Sequence, residues 1–161
     1  MEKRLILFDI DGTLLMTKGF GREAKRRAML EHFGETGDIA NHVFGGKTDW
    51  LTLIELLEPF GKTSEDIGRE LPAFEELMAQ YMRDISHEYD AEPIPHAMEL
   101  VTNLREREDT LLGLVTGNME KTAKIKLLNF ERDCKVFYQR NLFQFSGFAQ
   151  NLELNQSGTC L

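Results

Sequence analysis

Residues 4–15 set narrow limits on the fold: Arg4-Leu5-Ile6-Leu7-Phe8-Asp9-Ile10-Asp11-Gly12-Thr13-Leu14-Leu15. Leu5 to Phe8 is a short unbroken apolar run. It predicts a strand buried on both faces, which suits a parallel α/β sheet better than a half-exposed hairpin. The run stops at Asp9. Two acids two residues apart, followed by Gly-Thr, then lie just past the carboxyl end of that strand, where open α/β sheets place their ligands. From spacing alone, Asp-x-Asp-Gly is equally an ordinary turn, since Asp and Gly supply the hydrogen bonds and dihedrals that turns need.

The chain has 161 residues, enough for one domain with a real core or for a small core carrying an insertion. Its net charge of −8 leaves no basic stripe to follow a phosphate backbone, which argues against nucleic acid. Cys134 and Cys160 make neither a metal-ligand spacing nor a disulfide framework, which fits a reducing compartment. The apolar run after Lys3 and Arg4 is too short for a signal-peptide core, and no stretch approaches membrane-spanning length. The expected location is the cytoplasm, away from membranes.

After Leu15 the pattern turns helical. Arg22 to Phe33 carries an apolar stripe of Ala24, Ala28, Met29 and Phe33, and its bases Arg22, Lys25, Arg26 and Arg27 are expected on a solvated face. Phe44-Gly45-Gly46-Lys47-Thr48-Asp49 reads as a loop closing on a helix start, with Thr48 as N-cap and Asp49 favouring the helix dipole. That helix is expected to run to about Glu58, with Trp50, Leu53, Ile54 and Leu57 at core spacing. Lys47, a cation in a Gly-rich loop, could reach an anionic substrate. Pro59 to Thr63 is a break, Ser64 is placed as the cap of a short helix, and Pro72 as the opening of the next. Phe74, Leu77, Met78, Tyr81, Met82 and Ile85 then form one apolar face. Residues 16–90 therefore read as an all-helical insert of three or four helices.

Glu92-Pro93-Ile94-Pro95 is a stiff return, followed by a helix over 96–107 with Ala97, Leu100, Val101 and Leu104 on one side. Leu111 to Val115 is the second buried strand. Thr116-Gly117-Asn118 comes directly after it, ahead of a further helix through Leu128. A strand, a hydroxyl residue, a glycine and a helix start make a natural anion cradle.

These two sites carry a resemblance. Asp9-Ile10-Asp11-Gly12-Thr13-Leu14 resembles the first motif of the haloacid dehalogenase superfamily, and Leu114-Val115-Thr116-Gly117-Asn118 is similar to its second. The insert between them occupies the place of the family's type 1 cap, Gly46-Lys47-Thr48-Asp49 resembles its substrate-facing loop, and the flavour is that of phosphoglycolate phosphatase-like hydrolases. The resemblance implies a doubly wound, Rossmann-like α/β core from residues 1–15 and 91–128, with the cap at 16–90. It implies that Asp9 is the nucleophile and Asp11 the general acid and base. Asp11 also favours phosphoryl transfer over dehalogenation, which needs no proton. Mg²⁺ is implied at the Asp9 carboxylate and the Asp11 carbonyl, with Thr116 and Gly117 holding the phosphoryl group beside Asn118. The expected partner is a small phosphorylated substrate; oligomeric state is not legible.

The family's third-motif cation and fourth-motif acidic cluster are harder to place. Lys126, four residues on from Thr122, is one candidate for the cation, and a surface helix lysine is the competing reading. After Asn118 the acids are Glu120, Glu131, Asp133 and Glu153, none of them a pair following a buried strand. The tail at 129–161 changes character: acids and bases balance there, and Phe143, Phe145 and Phe148 sit among polar residues without a lasting period. The core is thus expected to be incomplete towards the C-terminus, through divergence, truncation or a change of reading frame. The leading expectation is Mg²⁺-dependent hydrolysis of a phosphate monoester; the alternative is an inactive remnant that at most binds phosphate or a partner.

Overall fold

In the computed structural model, which describes residues 3–128, the chain runs β1 (Arg4–Phe8), β2 (Leu15–Met16), α1 (Phe20–Phe33), α2 (Asp49–Leu57), α3 (Ser64–Ile85), β3 (Glu92–Pro93), α4 (Ala97–Arg105), β4 (Thr110–Leu114) and α5 (Glu120–Leu128). β1 and β4 pair in parallel, from Arg4 opposite Thr110 to Phe8 opposite Leu114. Parallel strands need a long crossover, and this one contains α1 to α4. β2 and β3 pair antiparallel, with Leu15 opposite Pro93, and so close the neck where the chain leaves and rejoins the sheet. An ion pair between Lys18 and Glu92 lies beside that neck.

Side chains alternate along β1 and β4. Phe8, Leu112 and Leu114 are buried with Ile10, Leu14 and Leu15 against Val101 of α4 and Ala123 and Leu127 of α5. On the other face Leu5 is 65% exposed and Leu7 51%. The expectation of burial on both faces is therefore not met for β1, because among the described residues the helices cover one face of the pair.

A second apolar cluster holds the helical insert together. Phe20, Ala24, Ala28 and Met29 of α1 meet Leu53 and Leu57 of α2 and Phe74, Met78, Met82 and Ile85 of α3. Met119, just ahead of α5, and Ile125 within it belong to this cluster too, whereas Ala123 and Leu127 face the sheet. A helix apolar on two sides is buried on both, so α5 is common to the two clusters.

The helix ends follow local chemistry. α1 stops at Gly34, whose φ of 76° allows its N–H to bond back to the Leu30 carbonyl at 3.1 Å. α2 starts where expected, the Thr48 hydroxyl accepting from the Leu51 N–H at 3.1 Å. The expected break at Pro72 does not occur. Thr63, not Ser64, is the N-cap, in a capping box with Asp66, and α3 continues unbroken through Pro72 for 22 residues. Proline removes one backbone hydrogen bond there, and the burial of Ile67, Phe74 and Met78 on either side outweighs that loss. In α4 the expected inward Leu100 is half exposed, while Val101 is fully buried.

No described helix is long and apolar enough to cross a membrane. The tail at 129–161, with Cys134, Cys160, Phe143, Phe145, Phe148 and the acids Glu131, Asp133 and Glu153, lies outside the described residues.

Candidate active site

Past β1 the chain folds back on itself. The N–H groups of Thr13, Leu14 and Leu15 all point to the Ile10 carbonyl, at 3.3, 2.9 and 3.0 Å, and Gly12 takes a φ of 78° that a residue with a side chain rarely adopts. Ile10 is completely buried beneath this turn. Its burial turns the flanking Asp9 and Asp11 outward, into a cavity of about 690 Å³. Thr116, Gly117, Asn118 and Lys126 line the same cavity from the core, and Arg22, Lys25, Lys47, Thr48 and Asp49 line it from the helical insert.

The second loop is held to the first through Asn118. Its Nδ2 donates to Asp11 Oδ2 at 2.7 Å and to Thr116 Oγ1 at 2.7 Å, while its Oδ1 accepts from Lys126 Nζ at 2.5 Å. Lys126 Nζ also donates to Asp11 Oδ2 at 2.6 Å, and its side chain is only 6% exposed. Lys126 is thus not a surface helix lysine. Thr116 Oγ1 accepts from Asn118, which leaves its own O–H proton for the cavity. Thr17 Oγ1 donates to Asp11 Oδ1 at 2.9 Å. Burial pushes the Asp11 carboxyl up, but the Lys126 charge and the hydrogen bonds from Lys126, Asn118 and Thr17 outweigh it and hold the group below its ordinary value of 3.8.

Asp9 is less encumbered. One oxygen accepts from the Ile10 N–H at 2.7 Å, and the side chain faces solvent. Its second oxygen and the Asp11 carbonyl are hard donors of the kind Mg²⁺ takes. The donors fit that ion in kind. Among the described residues no three His, Cys, Asp or Glu side chains converge as a metal site, so the remaining ligands would be water and substrate oxygens.

Lys47 lines the cavity as the sequence suggested, but its Nζ is engaged by Glu55 Oε2 at 2.5 Å. The basic face of α1 divides. Arg26 and Arg27 stay near the surface on Glu23, at 2.8 and 2.7 Å. Lys25 contradicts the expected solvated role: its side chain is 3% exposed and its Nζ donates to Asp49 Oδ1 at 2.6 Å. Arg22 stacks over the Phe44 ring, 4.8 Å from its centre, and donates to the Ala40 carbonyl at 3.1 Å. The Lys25–Asp49 pair was missed because its members lie 24 residues apart on different helices; Asp49 at a helix start and a lysine in an apolar stripe were its only signals.

A model of the haloacid dehalogenase-like hydrolases matches residues 3–142. The chain belongs to that family. Among solved structures it is similar to a hydrolase from Pseudomonas syringae, at 23% identity and a TM-score of 0.62, over 89% of this chain and 61% of that one. It is similar to CbbY from Rhodobacter sphaeroides, solved in complex with phosphate, at 19% identity and a TM-score of 0.51, over 90% of this chain and 62% of that one. A candidate beta-phosphoglucomutase from Bacteroides vulgatus aligns at 21% identity and a TM-score of 0.55, over 89% of this chain and 52% of that one. The chain thus spans between about half and five-eighths of the length of these structures, which share its fold. No curated protein matches it by sequence. The haloacid dehalogenase fold accounts for both motifs standing at one end of the parallel pair, since β1 and β4 run side by side and deliver Asp9 and Thr116 to the same edge.

Proposed function

We propose that this haloacid dehalogenase-like hydrolase cleaves a small phosphate monoester through an aspartyl-phosphate on Asp9. The observation that carries the reading is the meeting of an exposed Asp9 carboxylate with Thr116, Gly117 and the buried Lys126 in one cavity. A phosphate-bound fold relative supports the choice of ligand.

Asp9 attacks phosphorus and the bond from phosphorus to the ester oxygen breaks. The departing oxygen takes a proton from Asp11. Water then attacks the same phosphorus, gives a proton back to Asp11, and releases inorganic phosphate with the Asp9 carboxylate restored. Lys126, the Thr116 hydroxyl and the Gly117 N–H stabilise the charge on the transferring group. A carboxylate at ~3.5 Å from a phosphate charge, at an effective dielectric near 20, meets a repulsion of roughly 5 kcal/mol. Mg²⁺ held by Asp9 and the Asp11 carbonyl would supply positive charge against it.

The test is hydrolysis of p-nitrophenyl phosphate with Mg²⁺ by the full chain. Turnover is expected, Asp9→Asn should abolish it, and chelation should stop it reversibly. Activity that persists in Asp9→Asn removes the nucleophile assignment. Phosphate binding without turnover in the unaltered protein would instead favour the reading as a non-catalytic phosphate binder.

A further inference from the structure

Asp49 belongs to the helical insert, yet every hydrogen bond that its first turn does not use reaches outside α2. Its backbone N–H donates to the Gly117 carbonyl at 2.7 Å. Its Oδ2 accepts from the Met119 N–H at 2.9 Å, and its Oδ1 accepts from Lys25 at 2.6 Å. Gly117 and Met119 are the two neighbours of Asn118, the side chain that joins Asp11, Thr116 and Lys126. One residue of the insert therefore clamps the loop on both sides of that hub. Gly117 is drawn in so closely that a Cβ there would lie 3.0 Å from the Thr48 Cα. Met119 stands immediately ahead of α5, its carbonyl accepting from the Ala123 N–H at 2.9 Å, so the carboxylate satisfies a donor at the start of that helix.

We propose that Asp49 is a positioning residue for the phosphate-binding loop: docking of its carboxylate on Met119 and of its N–H on Gly117 sets Asn118, and through Asn118 the placement of Asp11 and Lys126. Lys25 neutralises Asp49 at the largely buried edge of the cavity, and no hydrogen bond joins it to the loop among the described residues. The active centre is then assembled jointly by the insert and the core, and is incomplete when the 45–49 loop lifts away. Preorganised donors lose effect when their frame loosens. The proposal extends the hydrolase reading, and its deciding measurement does not depend on turnover.

Removing Asp49 alone would strand the Lys25 charge and unfold the region, so the test uses two double variants that remove both charges. Lys25→Met with Asp49→Leu fills the space and deletes the acceptor; Lys25→Met with Asp49→Asn keeps an oxygen for the Met119 N–H. Amide hydrogen exchange at Met119 decides between them. The leucine variant should exchange there about tenfold faster or more while the β1 and β4 amides stay protected, and the asparagine variant should restore protection. Calorimetric titration with inorganic phosphate should show affinity falling about tenfold in the first and recovering in the second, and kcat/KM for p-nitrophenyl phosphate should fall and recover with it. Glu76→Gln, which cuts the exposed Lys121–Glu76 pair between α3 and α5, should change none of these. A folded leucine variant whose Met119 amide stays as protected as in the parent overturns the proposal. A parent protein that hydrolyses nothing overturns the hydrolase reading alone, and the exchange result still stands or falls by itself.

Discussion

Asp11 receives Lys126, Asn118 and Thr17 at once, so its resting form is the carboxylate, whereas protonating a leaving group calls for the acid. The two fit together if Lys126 turns to the incoming phosphate and releases Asp11 to take up a proton. Lys126→Met should therefore let the Asp11 carboxyl titrate at higher pH in the metal-free protein, read by carbon NMR of labelled aspartate; an unmoved titration would break the link. The sign on stability follows. A carboxyl held below its unfolded value contributes stability that is complete above the ordinary aspartate range near 3.8 and is lost as pH falls through the lowered value. Urea unfolding at descending pH should show that loss in the parent and a smaller one in Lys126→Met. That Asp9, Asp11 and Thr116 line one cavity was legible because Asp9 and Thr116 are each the first polar residue after an apolar run and Asp11 follows Asp9 by two, a signal local in the chain. Lys25 was not, since burying a lysine depends on where another helix brings a carboxylate.

At the scale of elements, contact between the 45–49 loop and the 116–119 loop requires a bare backbone at Gly117. A Cβ there would overlap the Lys47 carbonyl oxygen, which is backbone and cannot rotate aside. Gly117→Ala should push the loops apart, destabilise the protein by about 1–3 kcal/mol as overpacking does, and weaken inorganic phosphate binding, measured by urea titration and calorimetry. A variant with parental stability and affinity would show that the loops are free to separate. A helix start was legible where a single residue decides it, as at Thr48. Pro72 misled because the rule that proline opens a helix is local, while the burial that carries α3 through it is shared with α1 and α5. The double burial expected of β1 failed for a related cause: an apolar run reports what a side chain is, not whether a neighbour arrives to cover it.

Across the whole molecule, the sheet and the helical insert meet on α5. That the span between the two motif-bearing strands is mainly helical could be read from periodicity alone. That α5 serves both sides could not, because residues apolar on two faces give no direction to a helical pattern. Cooperative unfolding follows. Trp50, the only tryptophan, lies against Gly68 of α3 and reports the insert; pulsed hydrogen exchange at Leu112 and Leu114 reports the sheet. Their urea midpoints should coincide, and two separated transitions would show that the clusters are independent.

The neck formed by β2 and β3 is where the insert would swing, and swinging it would draw Met119 and Ile125 out of an oily seam as well as parting Asp49 from the core. Such a door has a thermal signature. Apolar seams weaken on cooling, and the ion pair that crosses this seam, Lys121 with Glu76, is exposed and screened by salt, whereas the enclosed Lys25–Asp49 pair lies within the insert and moves with it. Entry to the cavity should therefore ease in the cold and as ionic strength rises.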